Sequence, residues 1–365
     1  MNKRNFSLVA CGLLLSASSV FAESSIKTAI AAGQASGDIT VHTVTTNNDD
    51  SSSDAGFTAG TVGLAYETGE LNGFSAKVGF RAAHQFAEEE DGDYKGDFTE
   101  NSIMNEAYIK YANKSFSLTA GRQEIDLEWI GDFNESVVAE VIAIEDTTIT
   151  ALYANRQAVA AEDELSKFED VVENEGVYVL DVKYEGIEGV ELNPYFYSIN
   201  DVADIYGLKA TYSNDSFGIL GHYVATNEDD SSADDGSIYQ LELSATLGQF
   251  EVAAGYISTD SDGAIGSMDT YGDNIDPTEE IGDGVYGTDA DTYYGTISTE
   301  VSGVELGLLY ANADYADDKE LEEVSLFVDY AFNDEFSVGF AYTDVDSNGD
   351  DEDFDKASLT ATYTF

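Results

Sequence analysis

The chain ends on Ala357-Ser358-Leu359-Thr360-Ala361-Thr362-Tyr363-Thr364-Phe365, in which apolar and hydroxyl-bearing residues alternate without a break. A period of two over about nine to eleven residues suits a strand that crosses a membrane, because neighbouring strands satisfy its backbone while one face meets lipid and the other meets water. The edge strand of a soluble sheet can show the same alternation. The rest of the chain must therefore decide between the two interpretations.

The same alternation recurs along the chain, and helical spacing is nearly absent. It is seen at residues 74–81, 178–184, 206–212, 239–245, 304–308, 324–330 and 336–342. In each of these segments one face is apolar and the other is small, polar or charged. The pattern predicts an all-β fold.

The connections between these segments alternate in length. Short turns, as at residues 112–115 and 213–216, are flanked by Tyr and Phe. Longer acidic segments rich in Gly and Ser lie at about 46–56, 84–101, 123–136, 157–175, 227–236, 259–290, 313–321 and 345–354. Short turns on one side and long loops on the other predict a transmembrane antiparallel β-barrel with short periplasmic turns and long acidic extracellular loops. The Tyr and Phe pairs predict an aromatic girdle at the membrane boundary, although cross-strand pairing alone would also explain them.

The strand count depends on one uncertain hairpin. From Ile39 to Phe365 we count about eighteen strands if residues 136–156 form a hairpin, and sixteen if they do not. An even number places both ends of the barrel wall in the periplasm. A barrel of this width cannot fill its interior with strand side chains alone, so we expect an aqueous channel.

The N-terminal segment has the features of an export signal. Lys3 and Arg4 precede a mostly apolar stretch, and small residues before and at Ala22 suit cleavage. We therefore expect a signal peptide at 1–22, a barrel at 23–365 and a location in the outer membrane of a Gram-negative cell. A lipoprotein site at Cys11, the only cysteine, is the alternative. Without a second cysteine, no disulfide can form within the chain.

The charge of the chain is strongly negative. It carries 72 Asp and Glu against 15 Lys and Arg, for a net charge of -57. A nucleic-acid partner is excluded, because phosphates would be repelled. A hydrophobic content of 43% argues against disorder, so the carboxylates must sit on a folded scaffold. They predict that cations are concentrated at the mouth of the channel.

The third long segment is too apolar for an exposed loop. Its large apolar residues are Ile125, Leu127, Trp129, Ile130 and Phe133. We expect residues 123–136 to fold inward and form a constriction that presents four carboxylates: Glu124, Asp126, Glu128 and Asp132. An extended fifth strand with a short external turn is the alternative.

Basic residues are scarce, and several share the lumen face of the predicted strands. They are Lys77, Arg81, Lys110, Lys183 and Lys209. Opposite an acidic inward loop they would create a transverse field that orients polar solutes. The simpler interpretation is that charged residues on strands must face water in any case. Arg122 falls on the same face of its predicted strand as Leu118, which would turn its side chain outward. The sequence therefore assigns it no role.

One acidic segment has the spacing of a calcium loop. Asp344, Asp346 and Asn348 precede Gly349, and Asp355 stands at the twelfth position. Strands rather than helices flank it, and Asp replaces Glu at that position. Diffuse binding of calcium or other divalent cations by the acidic loops is the alternative, and no cofactor is required.

Nothing in the sequence indicates catalysis. His42, His84 and His222 are far apart and stand in no nucleophile or metal-ligand motif. A barrel hydrolase would require two of them to lie beside a Ser, Asp or Asn in the folded protein. We therefore expect the protein not to be an enzyme.

Three short motifs resemble a known family. They are residues 26–37 (IKTAIAAGQASG), 107–111 (AYIKY) and 120–123 (AGRQ). With them the chain resembles the porins of the campylobacter-type major outer-membrane protein and, more distantly, the OprD-like porins. The resemblance implies an 18-stranded channel, a homotrimer, an inward constriction loop and the diffusion of small hydrophilic solutes and ions across a membrane of lipid and lipopolysaccharide. A surface barrel acting as an adhesin or scaffold is the competing function.

Overall fold

The computed structural model describes residues 25–48, 53–171, 176–229, 235–261, 263, 275–316, 319–348 and 353–365. The predicted signal peptide, residues 1–22, lies outside the described residues. Within them, no helix is long and apolar enough to span a membrane.

The described chain is almost entirely β-structure. Its strands are β1 (Gln34–Asn48), β2 (Ala55–Glu67), β3 (Phe74–Glu88), β4 (Ser102–Ala112), β5 (Phe116–Glu124), β6 (Phe133–Ile144), β7 (Thr147–Ala158), β8 (Glu169–Asp170), β9 (Val177–Ile187), β10 (Val190–Ile199), β11 (Ala203–Ser213), β12 (Phe217–Glu228), β13 (Ser237–Leu247), β14 (Phe250–Thr259), β15 (Asp291–Val301), β16 (Val304–Tyr315), β17 (Lys319–Ala331), β18 (Phe336–Ser347) and β19 (Phe354–Thr364). Three short helices accompany them: α1 (Ile26–Ala31), α2 (Asp93–Asp97) and α3 (Gly282–Val285).

The strands form one closed antiparallel barrel. Successive strands pair with each other, and β19 returns to pair with β1 from Asp38↔Thr364 to Asn48↔Phe354. The two-residue β8 pairs only with the end of β7, and β9 pairs directly with β7. The wall therefore has eighteen strands, which confirms the predicted fold. The β6–β7 hairpin that the count depended on is formed.

The barrel wall has an apolar outer face. Along each strand, exposed large apolar residues such as Leu64, Ile109 and Leu243 alternate with residues that face the interior. Closure leaves no unpaired sheet edge, so the backbone of the wall is satisfied without water. Such a surface is suited to lipid.

The two ends of the barrel differ, as the sequence predicts. At the turn end, aromatic pairs flank the short connections: the ring centroids of Phe74 and Tyr111 are 4.9 Å apart, and those of Tyr212 and Phe217 are 5.6 Å apart. The longer connections lie at the opposite end, here called the loop end. One connection at that end, residues 200–202, is short and escaped the sequence analysis.

Candidate functional site

The connection between β5 and β6, residues 125–132, folds into the barrel. Trp129 and Ile130 are fully buried. A tight turn forms where the amides of Leu127 and Ile130 each donate to the other's carbonyl, at 3.1 and 3.4 Å. The Ile125 amide donates to the Asp132 carbonyl at 2.8 Å, so the base of the connection is also closed. Ile125, Trp129 and Ile130 of this segment therefore pack inside the wall.

Polar contacts attach this connection to strands further round the wall. The Trp129 indole Nε1 donates to the Tyr195 hydroxyl at 2.9 Å, and the Trp129 backbone amide donates to the Tyr197 hydroxyl at 3.3 Å. The Lys209 Nζ lies 2.8 Å from Glu128 Oε1. Residues 125–132 thus reach from β5 and β6 to β10 and β11 across the interior.

The attachment continues to a histidine on β12. The Tyr195 hydroxyl lies 2.7 Å from His222 Nε2. Tyr195 therefore links the Trp129 indole, which donates to its hydroxyl, to His222. The contacts form one chain from Trp129 through Tyr195 to His222.

A second connection also enters the barrel. Between β14 and β15, Ile275, Ile281 and Val285 are almost completely buried. The ring of Tyr286 lies 6.2 Å from that of Trp129, edge to face. The two connections therefore meet inside the barrel. In the sequence, residues 259–290 resemble an ordinary acidic loop, and the spaced apolar residues Ile275, Ile281 and Val285 are the signal that residues 275–286 fold inward.

The buried apolar residues form two groups on different parts of the wall. The larger group joins both inward connections to the inner face of β6–β18. The smaller group covers β1–β3 at the loop end, where Tyr94 and Phe98 of the α2 segment stack at 4.7 Å over Phe57 and near Leu165. Described residues from four long connections, those after β3, β5, β7 and β14, thus contribute to these two buried groups.

The carboxylates predicted for the constriction fall into two environments. Glu124, Asp126 and Asp132 are exposed, whereas Glu128 is buried. Burial raises the pKa of Glu128 above its usual range, and the nearby Lys209 opposes that shift. Glu128 thus tethers the connection through Lys209, while the other three carboxylates are exposed.

Four of the five predicted lumen cations are ion-paired. The pairs are Lys77 with Glu106 (2.8 Å), Arg81 with Asp38 (2.6 Å), Lys183 with Glu191 (2.7 Å) and Lys209 with Glu128 (2.8 Å). Lys110 stands on β4 opposite Thr119 of β5. Pairing turns most of these cations into local dipoles, so the wall does not present an unbroken row of positive charge.

Arg122 has a structural role that the sequence left open. Its guanidinium lies 2.7 Å from Glu135 Oε1, donates to the Met104 carbonyl and stacks 4.2 Å over the Phe168 ring. The preceding residue, Gly121, has φ +129, and a Cβ there would lie 2.1 Å from the Ala107 carbonyl oxygen. This glycine lets β4 and β5 approach where the inward connection begins.

The residues of the predicted calcium loop belong mainly to strands. Asp344 lies opposite Asp355 in the β18–β19 ladder. The Asp355 carboxylate accepts a hydrogen bond from Asn47 at 2.7 Å, and the Asn348 side chain accepts one from the Glu320 amide at 3.2 Å. Across the part of the chain that the structure describes, no group of three or more His, Cys, Asp or Glu could hold a metal ion. Gly349 lies outside that part.

The three histidines are not brought together. His42 hydrogen-bonds to Thr360 at 2.8 Å inside the barrel, and His222 contacts Tyr195. His84 is exposed, and its ring lies 5.6 Å from that of Phe86. The juxtaposition that a barrel hydrolase requires is not formed.

Comparisons with known proteins agree with the barrel. The model of a family described as "Putative outer membrane protein" matches residues 33–227. No curated protein sequence matches the chain. Among solved structures, Pseudomonas aeruginosa OpdO is similar with a TM-score of 0.78 and 14% identity, covering 93% of this chain and 98% of its own. Acinetobacter baumannii OccAB1 has a TM-score of 0.78, 11% identity and coverage of 94% and 98%. Pseudomonas aeruginosa OccK8 (OprE) has a TM-score of 0.74, 13% identity and coverage of 92% and 99%.

At such low identities the solved structures establish the fold alone, whereas the family model covers more than half of the chain. With its closed eighteen-stranded wall and inward connections, this chain belongs to that family of outer membrane proteins and has the porin-like fold of the Opd and Occ structures.

Proposed function

We propose that the protein is a porin through which small hydrophilic solutes and ions diffuse passively, with a preference for cations. The observation that supports this most directly is the combination of a wide closed wall with the inward connection of residues 125–132. Eighteen strands enclose more space than their own side chains can fill. The connection narrows that space and keeps Glu124, Asp126 and Asp132 exposed.

The proposed cation preference rests on an imbalance of fixed charge: most of the lumen cations are paired with carboxylates, whereas many carboxylates have no basic partner to balance them. Four of the five lumen cations are held by carboxylates at 2.6–2.8 Å, so their fields are largely cancelled. The chain as a whole carries a net charge of -57. A narrow passage with low-dielectric walls focuses such a field and enriches counter-ions within it. Mobile cations would therefore be favoured over anions.

The proposed environment is the lipid and lipopolysaccharide of the outer membrane, and the proposed assembly is a homotrimer. The apolar outer face supports the first part, and the family resemblance supports the second. Divalent cations such as calcium would bind diffusely to the acidic loops rather than at one ordered site. Cleavage of residues 1–22 would accompany export.

Conductance across a planar bilayer tests the function. The chain from Glu23 onward is refolded in detergent, inserted and measured under a salt gradient. We expect steady single-channel conductance steps. The reversal potential should have the sign that results when cations permeate more readily than anions down the salt gradient. An anion-selective reversal potential would contradict the proposed preference. A correctly folded barrel that carries no current would contradict the porin function and favour an adhesin or scaffold.

A further inference from the structure

A fully buried carboxylate stands on the inner face of β17. Glu323 has no exposed surface, and its neighbours on the same face, Leu321 and Ser325, are also buried. Removing a carboxylate from water is strongly unfavourable unless donors replace its hydration. The donors that Glu323 finds therefore indicate what this residue is for.

The donors come mainly from the second inward connection. The backbone amide of Glu279 lies 3.0 and 3.2 Å from the two carboxylate oxygens of Glu323, and the amide of Glu280 lies 2.9 Å from one of them. The Ser325 hydroxyl adds a contact of 2.7 Å. Two consecutive amides at the entry to α3 are thus held by one side chain 43 and 44 positions further along the chain.

The same segment is built to present these amides. Asp276 accepts a hydrogen bond from the Thr278 amide at 2.8 Å, which closes a turn around Pro277. Proline fixes its own φ, so the turn has little freedom. A second fastening follows, because the Lys356 Nζ of β19 lies 2.7 Å from Glu280 Oε1. Residues 276–280 are therefore anchored to β17 and β19 together.

The anchored turn stands directly before buried residues of the same segment. Directly after the anchored turn come Ile281, Val285 and Tyr286, which are buried, and Tyr286 reaches Trp129 of the other inward connection. If the anchor were released, the apolar residues would lose their fixed approach to the wall. The position of Tyr286 beside Trp129 would be lost with it.

We infer that Glu323 is a positioning residue for the pore: by binding the backbone of Glu279 and Glu280, it holds the second inward connection in the barrel and thereby sets the width of the passage. Only the link between Glu323 and the width of the passage rests on the proposed porin function. The attachment of residues 275–286 to Glu323 can be measured without any current.

The test compares Glu323→Gln with the matched control Glu322→Gln. Glu322 is the adjacent carboxylate on β17, but it has the outward parity of Val324 and accepts from the Tyr310 hydroxyl at 3.0 Å. Each variant is also combined with Val285→Cys, a reporter at a buried position. From Glu23 onward the chain has no cysteine of its own, so labelling by a charged maleimide reports this site alone.

We expect Glu323→Gln to raise the labelling rate of the reporter at least about tenfold, because the neutral amide loses the charge that strengthens both backbone hydrogen bonds and places an NH2 donor where one carboxylate oxygen accepted. Single-channel conductance should rise by about half or more, since it follows the open cross-section. Glu322→Gln should change neither quantity. If Glu323→Gln does not fold, Lys356→Met provides a milder release and should change both in the same direction.

Unchanged labelling in a folded Glu323→Gln or Lys356→Met barrel would overturn the anchoring role. Faster labelling with unchanged conductance would overturn the link to pore width. A wild-type barrel without current would overturn the proposed porin function, while the labelling experiment would still decide whether Glu323 anchors the segment.

Discussion

Trp129 and Tyr195 are joined by a 2.9 Å hydrogen bond although they lie on a connection and a strand separated by 66 positions. The bond ends inside the barrel, where Trp129 is fully buried and Tyr195 nearly so. It fixes the tip of the first inward connection, residues 125–132, to β10. In the wall, β10 is the third strand after β6. The permeation properties of the barrel should therefore depend on this contact.

Replacing Trp129 should loosen the first inward connection. Trp129→Phe removes the indole donor and should lower the free energy of unfolding by about 1 kcal/mol. Trp129→Ala also leaves a cavity and should cost about 3–5 kcal/mol. Urea titration of the barrel in detergent measures both losses, and we expect larger or noisier conductance steps for Trp129→Ala. Because the two side chains share this bond, Tyr195→Phe should cost less stability in the Trp129→Phe background than it costs alone. Additive losses would contradict the coupling.

Removing the cation beside Glu128 should make the pore sensitive to pH. In Lys209→Met, Glu128 stays buried without its counter-ion, and its pKa, already raised by burial, should rise further. A carboxyl whose folded pKa is raised contributes stability at low pH, and that contribution is lost as pH rises through the folded pKa. The variant should thus resemble the wild type at acid pH and lose up to about 3 kcal/mol of stability near neutral pH. Unfolding measured from pH 4 to pH 8 tests this, and a loss independent of pH would argue against it.

The double variant Glu128→Gln with Lys209→Met serves as the control for that experiment. It removes both charges, so no ion is left buried without a partner. We expect its stability to lie closer to the wild type than that of Lys209→Met, at neutral pH especially.

The exposed carboxylates of the first inward connection should govern ion preference. Replacing Glu124, Asp126 and Asp132 together by their amides should lower the permeability ratio of cations to anions by about half or more. Asn is suitable at position 132, where φ is +58. The matched control amidates Glu228, the last residue of β12, together with Asp229 and Asp235 of the connection between β12 and β13. Equal effects of the two triple variants would show that total charge, rather than this connection, sets the preference.

Salt should weaken the cation preference. The screening length falls from about 10 Å at 0.1 M to about 3 Å at 1 M, so fixed carboxylates act on passing ions over a shorter distance. Reversal potentials measured at a constant concentration ratio but increasing mean concentration should approach zero. A preference that stays constant up to molar salt would rule out the acidic mouth as its cause.

Gly121 should tolerate no side chain. Gly121→Ala would place a Cβ 2.1 Å from the Ala107 carbonyl oxygen at a φ of +129, which favours glycine. We expect a loss of about 2 kcal/mol or more and a low yield of folded barrel. Gly221→Ala is the matched control, because a Cβ at position 221 meets nothing within 4 Å. Heat-modifiable migration on a gel compares the folded fractions, and equal yields would contradict the expected clash.

The fold was predictable from the sequence because its signals are local. Alternation along segments such as 74–81 and 357–365 and the lengths of the connections between them led to eighteen strands. The apolar residues around Trp129 also favoured an inward path for residues 125–132, although an extended fifth strand with a short external turn was the alternative. Both depend on residues that are close together in the chain.

The contacts made inside the barrel were not predictable, because they join residues that are far apart in the chain. Glu128 looked like another pore carboxylate because Lys209, its partner, lies 81 positions away. Residues 275–286 looked like an acidic loop because the group that fastens them, Glu323, is one acidic residue in an acidic strand. Which carboxylates are buried depends on three-dimensional proximity, and strand parity alone does not contain that information.

The mutual hydrogen bonds of Gly37 and Phe365, each 2.9 Å from amide to carbonyl, limit how barrels of this kind can change size. They place β19 antiparallel to β1. Loss of a single strand would bring β18 to β1 in parallel orientation and move one chain end to the opposite side of the membrane. As long as the antiparallel closure is kept, strands must therefore be gained or lost as whole hairpins, and a smaller or larger wall of the same closure would differ from this one by two strands at a time.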